Sequence, residues 1–181
     1  MSTNASTAPW SALPGTMTFT TGHRRDYLAL QRYHYRQKPP ATTALVRVAR
    51  YTDVTGPRLV GVAMLSYPVP MLRARLRHFG IARIRYGAAL RFANRGFLTV
   101  SRIVIHPQFR TLGLAVELVK QLVEAAPSRY VEASASMARY GHFLERAGLT
   151  RVPADDPDEP AYFILDKRPT EPPFTLEPES P

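Results

Sequence analysis

The sequence predicts an α/β fold, and three observations lead to that prediction. Residues 98–105 are rich in branched apolar side chains, which is typical of a buried strand, and His106-Pro107 ends it because proline cannot donate to a sheet ladder. A short turn over residues 110–115 leads directly into a helix with an apolar stripe at helical spacing. Earlier in the chain, two apolar runs separated by turn residues predict a β-hairpin. Together these elements indicate a sheet that packs against helices.

The other elements follow from similar patterns. A short helix is expected over residues 23–33, and Pro39 and Pro40 then force an extended loop. The last helix is expected to begin after Ser136 as N-cap and to end at Gly148 as C-cap. The strands predicted outside the central unit span residues 44–50, 59–67, 129–133 and 161–166.

Length and composition predict one globular domain. A chain of 181 residues can bury one real core, and we assign the domain to residues 17–168. Residues 1–16 are small and polar with prolines, and residues 169–181 are rich in proline and glutamate, so both are expected to be disordered tails. The sequence has no cysteine, no secretory pattern at its N-terminus and no apolar run of about 18 residues, which favours a cytoplasmic protein without membrane spans. No cluster of His, Asp or Glu has the spacing of a metal site.

Charge is distributed unevenly along the chain. Residues 1–152 contain 22 Lys and Arg against six Asp and Glu, a net charge of +16, whereas residues 153–181 have a net charge of −6. A field of this strength attracts polyanions such as nucleic acid, an acidic protein or coenzyme A. A requirement for solubility, or a GC-rich genome whose codons favour arginine, would explain the same excess of positive charge.

Residues 71–95 hold a large share of this charge. The segment contains seven arginines and no acid, interleaved with apolar residues, and predicts one or two helices with a basic face. Such a face could cover an active site or hold an anionic substrate. It could equally be a solvated surface whose arginine stems lie on apolar neighbours. The arginines are Arg73, Arg75, Arg77, Arg83, Arg85, Arg91 and Arg95.

The turn after the central strand has the chemistry of an anion site. A helix that begins directly after a strand presents unpaired backbone N–H groups and the positive end of its dipole. The pattern Arg110-x-x-Gly113-x-Ala115 resembles the pyrophosphate loop of the GNAT acyltransferases, Q/R-x-x-G-x-G/A. The run 143–149 is similar to the C-terminal helix of that family. The alternative is an ordinary strand–turn–helix unit in which Gly113 permits close packing.

A narrower resemblance comes from three short runs, 34–36, 101–107 and 137–140. They are similar to a GNAT-like domain that is found fused to ABC-type ATPases and is akin to the phage DNA-modification protein Mom. No Walker loop of the form GxxxxGK[ST] is present, so the resemblance implies a free-standing form of that domain.

The GNAT resemblance implies a mixed central sheet flanked by helices, and an N-acyltransferase that uses acetyl-CoA or another acyl-CoA and an amine acceptor. Two alternatives remain, a GNAT-like protein that modifies or binds nucleic acid through segment 71–95, and a non-catalytic interaction module. The implied cofactor-binding residues are Ile103, Val104, Ile105, Arg110, Thr111, Leu112, Gly113, Leu114, Ala115 and Val116. The implied substrate-binding residues are Tyr35, Arg36, Tyr67, Ser101 and Arg102.

Three residues are candidates for proton transfer. In the GNAT family a tyrosine on the last helix often protonates the leaving thiolate, and Leu144 occupies the matching position here, so Tyr140 is the candidate one turn earlier on the same face. The candidate general bases are His34, which titrates near neutrality, and Glu132 at a strand end. Each has a structural alternative: Tyr140 in the core, His34 facing solvent, and Glu132 in a salt bridge to an arginine.

Overall fold

The computed structural model describes residues 8–35, 38–136, 142–154, 156 and 158–173. Its centre is a seven-stranded sheet with the strand order β1-β2-β3-β4-β5-β7-β6. All neighbouring strands are antiparallel except β4 and β5, which run parallel, so the predicted mixed sheet is confirmed. The strands are β1 (Thr16–Thr21), β2 (Leu45–Asp53), β3 (Gly56–Ser66), β4 (Phe97–Ile105), β5 (Tyr130–Ala135), β6 (Thr150–Val152) and β7 (Ala161–Asp166).

Five α-helices and three short 3₁₀ helices surround this sheet in the described part of the chain. The α-helices are α1 (Arg24–Leu30), α2 (Arg73–His78), α3 (Tyr86–Gly96), α4 (Leu114–Ala125) and α5 (Phe143–Arg146). The 3₁₀ helices span Pro9–Ala12, Gln31–Tyr33 and Pro107–Phe109. None of the described helices is both long enough and apolar enough to span a bilayer.

The two faces of the sheet are covered by different helices. On one face, the apolar stripe of α4 buries Leu114, Leu118 and Leu122 against residues of β2, β3 and β5. On the other face, Tyr27 and Leu30 of α1 pack with valines of β2, β3 and β4. The amphipathic pattern in the sequence therefore identified both covering helices.

Strand β1 and the segment before it were not predicted as structure. Residues 16–21 contain four threonines, and most of their side chains are exposed, so the strand lacks an apolar signature. Phe19 and Trp10 meet with ring centroids 5.5 Å apart, and both pack at the margin of the core. The domain boundary that we expected at residue 17 therefore falls inside β1, and ordered structure begins before it.

The arginine-rich segment forms two helices, α2 and α3, which is one of the arrangements its sequence predicted. Its arginines do not share one environment. Arg75 is completely buried, Arg77 forms an ion pair with Glu159, and Arg73 and Arg83 are exposed. The inward face of α3 places Phe92 in an aromatic cluster with Phe97 and Tyr130.

The last helix spans Phe143–Arg146 with His142 as its N-cap, so it begins later than the start expected after Ser136. Residues 137–141 lie outside the described part of the chain. Its end agrees with the sequence. Gly148 adopts a left-handed conformation with φ of +100°, and the amide of Leu149 donates to Leu144 O at 3.1 Å. This is the Schellman arrangement that a C-terminal glycine favours.

Candidate functional site

The two parallel strands at the middle of the sheet separate along their length. β4 and β5 pair only where Phe97–Thr99 lies opposite Tyr130–Glu132. Beyond Thr99 the strands diverge, and residues 100–105 and 133–135 line opposite sides of a cavity of about 640 Å³. This volume lies in the range of sites for small molecules. The cavity opens within the sheet itself, so its walls are strand backbones as well as side chains.

A β-bulge in β4 lies at the start of this separation. Val100 pairs with Leu65 and Arg102 pairs with Met64, which leaves Ser101 as the extra residue between them. The hydroxyl of Ser101 lies 2.7 Å from the hydroxyl of Ser66 on β3. A bulge bends and twists the strand that carries it, so it directs β4 away from β5. Ser101 and Arg102 both line the cavity at this bend.

The backbone of β4 faces the gap at alternate residues. His106 donates its amide to Val60 O on β3 at 2.8 Å. Because backbone groups alternate sides along a strand, the amides and carbonyls of Ile103 and Ile105 point towards β5. β5 no longer pairs with β4 at that level, so these groups face the cavity. The amides of both residues and the carbonyl of Ile103 are hydrogen-bonding groups available to a ligand that enters the gap.

The turn after β4 brings a helix N-terminus to the same cavity. Gly113 is the N-cap of α4 with φ of +81°, and Thr111 also adopts a left-handed conformation with φ of +68°. The first amides of a helix have no intrahelical partner, and here they belong to Leu114, Ala115 and Val116, which line the cavity. Left-handed backbone is costly for a β-branched residue, so the shape of this turn is imposed by its surroundings.

Arg110 adds a positive charge beside these amides. Its guanidinium donates to Ile105 O and to Tyr33 O, both at 3.4 Å, and its side chain lines the cavity. Backbone amides, a helix dipole and a guanidinium together form a donor set that suits phosphate oxygens. The residues present therefore fit the pyrophosphate of coenzyme A.

Aromatic residues after α1 form another wall of the cavity. Tyr33, His34 and Tyr35 all line it, and the rings of His34 and Tyr35 stack with centroids 4.7 Å apart. The hydroxyl of Tyr33 lies 3.3 Å from His106 Nε2 and accepts a hydrogen bond from Arg32 at 2.9 Å. His34, Tyr35 and Ser101 thus line the same cavity.

Glu132 does not line this cavity. Its side chain is completely buried, and both carboxylate oxygens accept hydrogen bonds from Arg75, at 2.7 and 2.9 Å. The hydroxyls of Thr99 and Tyr162 also donate to it, at 2.8 and 2.9 Å. Burial and then the neighbouring carboxylate raise the pKa of Tyr162 far above its usual value. A carboxylate saturated in this way cannot collect a proton from the cavity, so we correct the general-base assignment to its alternative, a buried salt bridge.

Four other predicted residues need comment. Leu112 packs against the core and does not line the cavity, and Tyr67 is 59% exposed and lies outside it. Tyr140 and Arg36 lie outside the described residues. The remaining predicted residues come together in one place. They are His34, Tyr35, Ser101, Arg102, Ile103, Val104, Ile105, Arg110, Thr111, Gly113, Leu114, Ala115 and Val116.

Sequence reasoning missed several lining residues. Tyr33 was assigned only to a helix, and Arg146 was not considered. The wall from β5, residues 133–135, was missed because only the separation of the strands exposes it. The available signal was the run of small residues Ala-Ser-Ala at this position, whose side chains leave space above and below the strand.

Comparison with known proteins bears on the fold. No protein-family model matches the sequence, and none of the curated proteins matches it. Solved structures do match. A GNAT family acetyltransferase from Brucella melitensis in complex with acetyl-CoA is 13% identical, with 87% of this chain and 92% of that chain covered and a TM-score of 0.53.

The chain has the GNAT fold.

Two further structures with this fold agree. Arabidopsis thaliana NAA60 in complex with acetyl-CoA is 14% identical over 83% of this chain and 99% of that chain, with a TM-score of 0.52. The aminoglycoside acetyltransferase AAC(6')-Ib in complex with coenzyme A and kanamycin is 16% identical over 84% and 96%, with a TM-score of 0.50. At sequence identities this low, the matches show that the chain shares the GNAT fold, but they show no particular activity. The narrower resemblance to the Mom-like domain stays a prediction.

Proposed function

We propose that the protein is an acyl-CoA-dependent N-acyltransferase that uses acetyl-CoA and acylates a primary amine. The observation that carries this proposal is the separation of β4 and β5 into a cavity that also receives the N-terminus of α4. An anion site and a strand backbone with open hydrogen-bonding groups thus share one space. Neighbours of the same fold contain acetyl-CoA or coenzyme A, which supports the choice of donor.

The phosphates of the donor are assigned to the turn and the first turn of α4. The amides of Leu114, Ala115 and Val116 and the guanidinium of Arg110 would hold them. When bound, acyl-CoA supplies the thioester whose acyl group passes to the amine. Gly113 keeps the turn free of a side chain where the phosphates approach.

The backbone of β4 is assigned the role of polarising the thioester oxygen. The amides of Ile103 and Ile105 face the gap and are held by the ladder between β3 and β4. A donor that is already in place when charge develops stabilises the transition state more than a mobile one. The bulge at Ser101 lies two residues from Ile103, so the reacting centre is placed near the bend in the strand.

The remaining roles concern protons. His34 lines the cavity and is proposed to take the proton that the amine loses. Tyr140 is proposed to donate a proton to the departing thiolate. The support for Tyr140 is the family resemblance, since Leu144 occupies the cavity-lining position of the usual tyrosine and cannot donate, and Tyr140 lies four residues before it in the sequence.

A nucleic-acid acceptor is a second candidate, and the exposed arginines Arg73 and Arg83 favour it. One neighbour of the GNAT fold, 14% identical with a TM-score of 0.50, is a KacTA–DNA complex. The candidate rests on the charge of segment 71–95.

Two measurements test the main proposal. Titration calorimetry with acetyl-CoA should show binding to a single site. Incubation of the protein with acetyl-CoA and an amine mixture should release thiol and leave an acetylated amine that mass spectrometry identifies. Absence of acetyl-CoA binding by the folded protein would refute the proposal.

A further inference from the structure

Two arginines packed deep against the sheet have a full counter-charge. Arg75 donates to both oxygens of Glu132, and Arg129 donates to both oxygens of Asp166 at 2.9 and 3.0 Å. Two-point pairing of this kind compensates the loss of water around a buried guanidinium. The pairing of Arg102, the arginine in the cavity wall, differs from this.

Arg102 lacks such a partner among the residues that the structure describes. Its guanidinium donates to Ser101 O at 2.7 Å and to Lys38 O at 2.8 Å, and its Nε is buried without an acceptor. Backbone carbonyls satisfy hydrogen bonds but cancel no charge. An arginine has five N–H donors, so further donors remain for another group. A ligand anion in the cavity would provide the missing counter-charge.

The rest of the cavity wall has the same sign. Among the lining residues within the described ranges, Arg102, Arg110 and Arg146 are charged and none is acidic. A multiply charged cation such as a polyamine needs carboxylates to replace its water, and this wall offers it only repulsion.

Arg102 is also well separated from the anion site at α4. It lies three residues before the end of β4, about 10 Å along the strand, and its guanidinium reaches across to the loop at Lys38. Arg110 follows the end of β4, and its guanidinium bonds Ile105 O and Tyr33 O, whereas that of Arg102 bonds Lys38 O. These different partners are the basis for assigning the two guanidinium groups to two anionic groups.

We propose that the acceptor is a primary amine that itself bears a carboxylate or phosphate group, and that Arg102 binds this group. The inference rests on the acyltransferase function proposed above. In the transfer, a C–N bond forms as the thioester C–S bond breaks, the amine proton passes to a base, and the thiolate leaves and takes up a proton. A neighbouring guanidinium also favours the neutral, nucleophilic form of the bound amine. Arg102 is thus a specificity-determining residue for acceptors.

The test compares amines that differ only in their anionic group. Glucosamine 6-phosphate is paired with glucosamine, and L-leucine is paired with L-leucinamide, with spermidine as a polycation and a mixed-sequence oligonucleotide as a separate source of phosphate. Thiol release from acetyl-CoA gives kcat/KM, and calorimetry on the CoA-loaded protein gives Kd for each probe. We expect a preference of at least about tenfold for the anionic member of each pair. Use of the oligonucleotide with no preference within the pairs would overturn the inference in favour of the nucleic-acid candidate.

Arg102→Gln should remove this preference by raising the acceptor KM or Kd on the order of 10- to 100-fold, with little change in acetyl-CoA affinity. Arg102→Lys should restore part of it. Arg168→Gln removes the same charge from an exposed position outside the cavity and should change nothing. Equal use of both members of each pair, preference for spermidine, or no interaction with any anionic probe would overturn the inference. Acetyl-CoA binding is measured in its own titration, and absence of that binding would instead refute the acyltransferase function.

Discussion

Arg75 and Glu132 form a completely buried ion pair with two hydrogen bonds, between residues 57 positions apart in the sequence. Glu132 pairs in register with Thr99 at the last rung of the β4–β5 ladder, and Thr99 donates to the same carboxylate. The other donors of Arg75 bind Val69 O and Pro70 O. The pair therefore fastens the segment that carries α2 at the point where the two strands begin to separate.

Glu132→Gln should destabilise the protein by about 3–5 kcal/mol, because it leaves the buried guanidinium of Arg75 without a counter-charge. Urea unfolding followed by circular dichroism measures the loss. The double variant Arg75→Met with Glu132→Leu removes both charges and should recover much of the stability. Turnover per folded molecule should stay near wild type. A large loss of turnover at unchanged stability would restore the catalytic role of Glu132.

Gly113→Asp should abolish acetyl-CoA binding, because it places a side chain and a negative charge where phosphate is expected and strains a backbone with φ of +81°. Titration calorimetry measures the binding. Gly80→Asp is the matched control, since Gly80 has φ of +69°, no atom within 4 Å of an added Cβ, and a position outside the cavity. Equal binding by both variants would place the cofactor elsewhere.

Tyr140→Phe should lower turnover by about 10²–10⁴ and leave acetyl-CoA affinity nearly unchanged, if the hydroxyl protonates the leaving thiolate. Steady-state kinetics and calorimetry separate the two quantities. His34→Gln is the companion variant for the proton taken from the amine. A Tyr140→Phe protein with normal turnover and a stability loss of about 1 kcal/mol would mark a structural tyrosine instead.

Asp166 makes the free energy of unfolding depend on pH in the acidic range. Burial acts to raise the pKa of its carboxyl, but hydrogen bonds from Arg129 and from the amide of Arg168 outweigh burial, so the pKa lies below its usual value. A lowered folded-state pKa contributes stability above the unfolded pKa near 3.8, and this contribution is lost as the pH falls through the lower folded value.

Asp166→Asn should therefore lower the free energy of unfolding by about 2 kcal/mol at pH 7. The difference in free energy of unfolding between the variant and the wild type should become smaller below about pH 4. Urea unfolding of both proteins from pH 7 to pH 2.5 checks the direction. A difference that stays constant over this range would mean that the carboxylate charge contributes nothing.

The nucleic-acid candidate predicts a steep dependence of affinity on salt, because each phosphate contact releases condensed counterions. Arg73→Glu with Arg83→Glu should reduce the slope of log K against log salt by about two. Arg24→Glu with Arg25→Glu makes the same charge change at exposed positions outside the segment. A fluorescence anisotropy titration with an oligonucleotide gives both slopes. Equal slopes for the two variants would mean that segment 71–95 is a solvated surface that does not contact phosphates.

The central unit of the fold could be predicted because its signals are local. Branched apolar residues, a proline and a left-handed glycine follow one another within residues 98–115, and each specifies backbone by its own sterics. The acceptor wall at His34 and Tyr35 came from a family resemblance instead. Local patterning thus predicted the strand, the turn and the helix that follows it, and the resemblance predicted which other residues share the cavity.

The rest depends on contacts between distant residues. Nothing in the local sequence of Glu132 indicates that its partner is Arg75, and the seven arginines of segment 71–95 gave no basis for a choice among them. The gap between β4 and β5 arises from a bulge at Ser101, and no residue type at this position predicts a bulge. Strand β1 was missed because exposed threonines conceal its pairing with β2.

The strand order has a consequence for synthesis on the ribosome. β7 is the last strand of the sheet in the chain, yet it lies between β5 and β6. A nascent chain that has emerged only through residue 152 has β5 without its antiparallel neighbour, and the carboxylate of Glu132 without the hydroxyl of Tyr162. The half of the sheet beyond the cavity therefore closes only after β7 leaves the exit tunnel. Until then, β5 presents an open edge that a chaperone could shield.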